Sequence, residues 1–203
     1  LRIGRDWWPL EKAILGYGYG LNVTVLQLAA AYAAIADHGV RHMPTFIKGG
    51  ESEARQVIAP EVAQELLGMM ETVTGPGSTG TRARIANYAV AGKTGTAHKA
   101  SAGGYAKSNY TSAFAGIVPA TRPRLVGVVV IDDPQRGSYY GGTVSGPVFS
   151  RVMEGALRLL DVAPDNIGRW YVGGPLQGAG GLVGRSAPDD APLDDAPGDG
   201  ETP

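Results

Sequence analysis

A cation, two hydroxyls and two glycines are crowded into Gly92-Lys93-Thr94-Gly95-Thr96. Val90 and Ala91 lead into it and suit a close-packed strand. In an extended chain alternate residues share a face, so Thr94 and Thr96 project together. Gly95 leaves the opposite face bare, and another group can pack closely there. Hydroxyls beside an ammonium group suit a ligand with a carboxylate. Thr94 and Thr96 can each donate a hydrogen bond, and Lys93 supplies the counter-charge. At a sheet edge the backbone of Thr96 stays free, and an extended substrate could add there as another strand.

The same letters have other readings. Gly92-Lys93-Thr94 ends a phosphate-binding G-x-x-x-x-G-K-[ST] pattern, but its first glycine falls on Asn87 and no helical pattern follows Thr96. An ordinary strand ending in a Thr-Gly turn also fits. Two further glycine runs imitate dinucleotide fingerprints. Gly16-Tyr17-Gly18-Tyr19-Gly20 has no strand before it, and Gly75-Pro76-Gly77-Ser78-Thr79-Gly80 follows a helical pattern and holds a proline. Both read as loops, the second as a flexible one.

The bulk numbers narrow the class. The chain has 203 residues, 43% hydrophobic and 18% charged, enough for one substantial domain. A net charge of −1 gives no footprint for nucleic acid. Without cysteine there are no disulfides, thiol chemistry or thiolate zinc sites. His38, His42 and His98 lack metal-ligand spacing with nearby carboxylates, so neither a metal nor a cofactor is expected. No apolar run is long enough to span a membrane, and no signal peptide is visible. The chain opens at Leu1 inside a continuing segment and reads as a piece of a longer protein.

The elements that must position the motif follow in order. Residues 1–21 read as a loop or irregular strand. Thr24 with Gln27 is a capping box for a helix from Val25 to Asp37, with Gly39 as its left-handed cap. That helix is apolar all round, which predicts a buried core element. Thr45-Phe46-Ile47 and Gln56-Val57-Ile58 are candidate strands. Pro60 opens an amphipathic helix with Val62, Leu66, Met69 and Val73 on its apolar face. Strands are expected at 88–96, 110–119 and 124–132, the last two as an antiparallel hairpin. Leu125 to Ile131 is the most apolar run and reads as the central strand, buried on both faces. Ala97 to Asn109 reads as a mobile loop. Tyr139-Tyr140-Gly141-Gly142 precedes a long helix with Pro147 near its first turn and a stripe of Phe149, Val152, Met153, Ala156, Leu157 and Leu160. The class is α+β, an antiparallel sheet flanked by helices. The domain runs over 1–172. Residues 173–203, rich in Pro, Asp and Gly, form a disordered tail.

With these residues in place the chain resembles the C-terminal part of the transpeptidase domain of class B penicillin-binding proteins, the cell-division peptidoglycan D,D-transpeptidase type. The resemblance covers about residues 15–168. It rests on Gly16-Tyr17-Gly18 with Leu21-Asn22-Val23-Thr24 and Gln27-Leu28, and on Val90 through Ala97. It rests also on Phe114-Ala115-Gly116 with Pro119-Ala120, and on Tyr139-Tyr140-Gly141-Gly142 leading to Pro147-Val148-Phe149. The resemblance implies a serine enzyme that acylates itself on the D-Ala-D-Ala end of a peptidoglycan stem peptide and passes the acyl group to a neighbouring amine. β-Lactams would acylate the same serine. The catalytic segment would be Lys93, Thr94, Gly95 and Thr96. Lys93, Thr94 and Thr96 would hold the terminal carboxylate, and the Thr96 amide would be one of two oxyanion donors. Tyr110, Tyr139 and Tyr140 would form an aromatic wall against the ligand. Division-machinery membrane proteins would be partners, at the periplasmic face of the inner membrane.

One departure is large. No serine of the chain has lysine three residues on, and no Ser-x-Asn occurs. The nucleophile, its activating lysine, the second catalytic element and the membrane anchor are expected before Leu1. Alternatives are an elongation-type transpeptidase, a D,D-carboxypeptidase, or a penicillin-binding sensor or scaffold module without catalysis.

Overall fold

The computed structural model describes residues 7–167 apart from 17, 19, 20, 51, 102, 103 and 136, and the backbone alone for 100, 101 and 104–108. The 173–203 segment and most of the Gly16–Gly20 motif lie outside the described residues.

Helix α1, Pro9–Gly16, stands where an irregular segment was expected. Pro9 has the φ of a helix start, and Glu11 Oε2 accepts from the Trp8 amide at 3.1 Å. These local signals outweigh the aromatic and glycine residues around them. Helix α2, Val25–Ala36, has the expected capping box. Thr24 Oγ1 accepts from the Gln27 amide at 3.2 Å, and Gln27 Oε1 accepts from the Thr24 amide at 2.9 Å. Gly39 at φ 86° turns the chain out of the helix, and its amide donates to the Ala34 carbonyl. The expectation that α2 is buried all round is wrong here. Ala34 alone is fully buried, and Val25 and Leu26 are about half exposed. Composition told how apolar the helix is, not how many of its sides have neighbours.

Strands β1, Val40–His42, and β2, Ala54–Gln56, pair antiparallel with Val40 opposite Gln56. The expected strand at 45–47 is absent. Thr45 Oγ1 accepts from the Ile47 amide, a local turn, and Phe46 is 92% exposed. Val57 and Ile58 leave the ladder because both amides donate to the Gly39 carbonyl. Helix α3, Pro60–Thr72, begins at its proline as expected. Its packed face is Ala63, Leu67 and Met70, not the predicted stripe. Met69 is 64% exposed and Val62 45%. The small Ala63 permits close approach, so the large apolar residues beside it point outward.

The central sheet has the order β3-β4-β5, with β3 at Ala91–Ser101, β4 at Gly104–Val118 and β5 at Leu125–Asp132. All pairs are antiparallel. Two expectations change. The stretch 97–109 is not a loop, because β3 and β4 continue through it as a long hairpin with a register shift between His98 and Ala100. Cross-strand pairing overrides a Lys-, Ser- and Gly-rich composition. The valine-rich β5 is an edge strand, and Val130 is 41% exposed. β4 takes the centre because both hairpins share it, and it carries the fully buried Phe114, Ile117 and Val118.

Helix α4, Gly141–Leu159, starts well before Pro147, which therefore sits inside it. Tyr140 is the cap residue, and its carbonyl accepts from the Thr143 and Val144 amides. The predicted stripe narrows to Phe149, Met153 and Leu157, while Val152 and Leu160 are more than half exposed.

Helices cover both faces of the sheet. Ala91, Ile117 and Val126 meet Tyr32 and Ile35 of α2 and Leu67 and Met70 of α3. On the other face Val90, Phe114 and Val118 meet Phe149 and Leu157 of α4. Phe114 and Phe149 lie 4.9 Å apart between ring centres. Glycines make room for them: a Cβ at Gly92 would lie 2.5 Å from Phe114 Cζ, and one at Gly116 2.7 Å from Phe149 Cζ. The α+β architecture, an antiparallel sheet flanked by helices, is the one expected.

Candidate active site

Among the described residues β3 has no neighbour along its outer edge. The register places Thr94 opposite Phe114, Thr96 opposite Ser112 and His98 opposite Tyr110. Paired residues share a face, so these six point to the side covered by α4. Lys93 and Gly95 belong to the other face, with Ala91. The threonine hydroxyls therefore share a face, as expected, but the ammonium group does not join them. Lys93 Nζ donates to the Thr94 carbonyl at 3.1 Å and is otherwise exposed. A ligand lying along the open edge would meet the hydroxyls from one face and the cation from the other.

The segment before α4 closes on the hydroxyl face. The Gly141 amide donates to Thr96 Oγ1 at 3.0 Å. A Cβ at Gly141 would lie 2.3 Å from the Ala113 carbonyl oxygen and 2.4 Å from that of Gly95. Gly142 is packed as closely, its would-be Cβ 1.8 Å from the Thr79 carbonyl oxygen. Close packing at Gly95 thus comes from the α4 side. On its own side-chain face only Ala113 lies near, at 3.4 Å. Thr94 Oγ1 donates to Thr79 Oγ1 at 3.3 Å, so the 75–80 turn backs the site rather than standing apart from it.

Tyr110, Tyr139 and Tyr140 come together. Tyr110 and Tyr139 are stacked, 3.9 Å between centres and 9° between planes. Tyr140 follows at 4.5 Å from Tyr139, with their hydroxyls 3.3 Å apart. The Tyr140 hydroxyl is held above its ordinary 10.0, first by its hydrogen bond with Tyr139, and stays neutral at physiological pH. His98 extends the row, 4.4 Å from Tyr110. His98 is exposed, and the sequence reading gave it no part in the site. Its spacing of two from Thr96 was the signal that places it on the same face. Ser112, fully buried, was also missed. Its hydroxyl donates to the Tyr139 carbonyl.

Beyond the rings the hairpin is tied to the end of β5. Asn109 Nδ2 donates to both Asp133 carboxylate oxygens at 3.0 Å, and Lys99 Nζ pairs with Asp132 at 2.7 Å. The hydrogen bond from Lys99 holds the Asp132 carboxyl below its ordinary 3.8, and Asp132 holds Lys99 above its ordinary 10.5. The depressed carboxylate stabilises the folded state above its unfolded pKa, and that contribution is lost as pH falls through the folded value. The raised ammonium contributes below its unfolded pKa and is lost as pH rises through the folded one. Asp132 is exposed and Lys99 partly so, and the effect on stability is small. An NMR titration of the Asp132 carboxyl should give a midpoint below 3.8 that moves up in Lys99→Ala. An unmoved midpoint would remove this tie.

Among the described residues no cluster of His, Asp or Glu could hold a metal ion, and no helix is long and apolar enough to cross a membrane.

Comparison with known proteins identifies the family whose fold carries this site. The family model for the penicillin binding protein transpeptidase domain matches residues 3–154. The chain is 42% identical over 160 residues to peptidoglycan D,D-transpeptidase FtsI of Escherichia coli K12, covering 78% of this chain and 27% of that protein. It is 39% identical over 165 residues to probable peptidoglycan D,D-transpeptidase PenA of Neisseria gonorrhoeae, covering 81% and 28%. The chain thus spans little more than a quarter of these relatives. The transpeptidase domain of Burkholderia pseudomallei penicillin-binding protein 3 superposes with a TM-score of 0.73 at 39% identity, over 81% of this chain and 51% of that one. An edge strand carrying Lys-Thr-Gly-Thr, backed by α4 and flanked by stacked tyrosines, is therefore built on the fold of those proteins, and the chain belongs to the penicillin-binding protein transpeptidase domain family.

Proposed function

We propose that this chain is the carboxylate-binding wall of a peptidoglycan D,D-transpeptidase active site. The Gly141 amide bound to Thr96 Oγ1 carries this reading. With that oxygen already accepting, the hydroxyl proton of Thr96 is left for an anion at the open edge of β3. Lys93 supplies the counter-charge, and Thr94, whose hydroxyl proton goes to Thr79 Oγ1, lines the same face as Thr96. The amide of Thr96 serves as one oxyanion donor for acyl transfer from a D-Ala-D-Ala stem peptide, and β-lactams use the same groups. Tyr110, Tyr139 and Tyr140 flank the ligand. The serine nucleophile comes from sequence outside this chain, since no Ser-x-x-Lys occurs within it. The relatives' names support the reaction class. A septal role, division-machinery partners and a membrane-anchored periplasmic setting rest on the family resemblance.

Labelling of the full-length protein with a fluorescent penicillin tests this. Wild type should label covalently. Thr96→Val removes a neutral hydrogen bond and a charge-assisted one, and should slow labelling about ten- to hundredfold. Wild-type rates in Thr96→Val would sink the assignment. Purified residues 1–203 should form no covalent adduct, and a stoichiometric one would show a nucleophile within the chain.

A further inference from the structure

Thr96 and Ser112 are direct cross-strand partners on β3 and β4, and both hold the backbone that leads into α4. Ser112 Oγ donates to the carbonyl of Tyr139. Thr96 Oγ1 accepts from the amide of Gly141. The two bonded peptide groups flank Tyr140 on either side. We propose that Ser112 is a positioning residue for the ligand site. With Thr96 it forms a hydroxyl clamp that fixes the 139–141 backbone against the sheet, and so sets the Tyr139 and Tyr140 rings beside the edge of β3.

The donor inventory makes the clamp directional. A hydroxyl has one proton and two acceptor sites. Ser112 gives its proton to Tyr139, and its complete burial keeps water from competing for that proton. Thr96 instead accepts, which leaves its proton free to point outward. One hydroxyl therefore holds the wall, and the other holds the wall and faces the ligand. The rest of the segment cannot drift to compensate. Gly141 is already pressed against Gly95 and Ala113, and Tyr139 is stacked on Tyr110 of β4. The clamp thus ties the aromatic row and the carboxylate-binding hydroxyl to one pair of neighbouring strand positions. Ser112 reaches no ligand itself and acts through Tyr139.

This inference rests on the proposed ligand-binding role of Thr96 and the tyrosines, so its test has two readouts. In the full-length protein, Ser112→Ala should raise the fluorescent-penicillin concentration for half-maximal labelling rate about tenfold, the loss of one hydrogen bond, with a near-unchanged rate at saturation. Ser112→Thr, which keeps the hydroxyl, should restore much of it. In a Tyr139→Ala background, Ser112→Ala should add less than about twofold, because interacting groups are not additive. An unaltered concentration dependence in Ser112→Ala, or an equal loss with and without the Tyr139 ring, overturns the proposal. The second readout needs no ligand. Fluorotyrosine at position 139 should give one sharp 19F resonance in wild type and a shifted or broadened one in Ser112→Ala. An identical resonance overturns the clamp, whereas a wild-type protein that never labels overturns the functional reading and leaves this arm to decide the clamp.

Discussion

Gly141→Ala in the full-length protein should both destabilise the fold and slow acylation by penicillin. The added Cβ would lie 2.3 Å from the Ala113 carbonyl oxygen and 2.4 Å from the Gly95 carbonyl oxygen. Both are backbone atoms of paired strands and cannot swing aside. The start of α4 must back away, which stretches the Gly141-to-Thr96 hydrogen bond. Overpacking of this kind costs about 1–3 kcal/mol, and occasionally more. The labelling rate should fall at least about tenfold as Thr96 loses its fixed orientation. Gly155→Ala is the matched control. It lies in the same helix with nothing within 4 Å of its would-be Cβ. There alanine should stabilise by about 0.5–1 kcal/mol, because glycine in a helix costs that much. Urea unfolding and penicillin labelling of both variants decide the matter. If Gly141→Ala melts and labels like Gly155→Ala, the contact between α4 and β3 is not what holds the site.

Phe149→Ala should be the most destabilising single change on the α4 face. Its ring is fully buried, packs on Phe114, and occupies space left by Gly116 and Gly127. A Cβ at either glycine would come within 3.0 Å of that ring, so these two positions have no side chain of their own to refill the hole. Phe→Ala in such a place costs about 3–5 kcal/mol, a large share of the roughly 5–15 kcal/mol that holds a domain together. The urea midpoint should drop while the slope stays constant. A loss under about 1 kcal/mol would mean that the sheet carries α4 by other contacts.

How legible each part was depended on whether its signal is local. The capping box at Thr24 and Gln27, the proline start of α3 and the alternation of Thr94 and Thr96 depend on residues a few positions apart, and these were readable. The β4–β5 hairpin was readable for the same reason, since its turn is short. The failures are of another kind. The 97–109 stretch has a loop's composition, yet its backbone is held by partners on the facing strand. β5 has a central strand's composition, yet β4 is shared by both hairpins. Val62 and Met69 looked like the core face of α3, but the smaller Ala63 decides which side can approach β3. His98 could be placed by its spacing of two from Thr96, whereas Ser112 entered the site through register alone.

From the sequence alone follow the α+β class, the strand with Lys93, Thr94 and Thr96, and the family resemblance that Tyr139-Tyr140-Gly141-Gly142 helps to carry. These depend on residue type and period along the chain. Only the tertiary structure put the Gly141 amide on Thr96, brought Tyr110, Tyr139 and Tyr140 together, and set the His98 ring beside Tyr110. Those facts depend on which strands pair, in what register, and on what packs above them. A hydroxyl in a sequence can donate or accept in any direction. Its neighbours in the fold, the amide of Gly141 for Thr96 and the carbonyl of Tyr139 for Ser112, decide which it does.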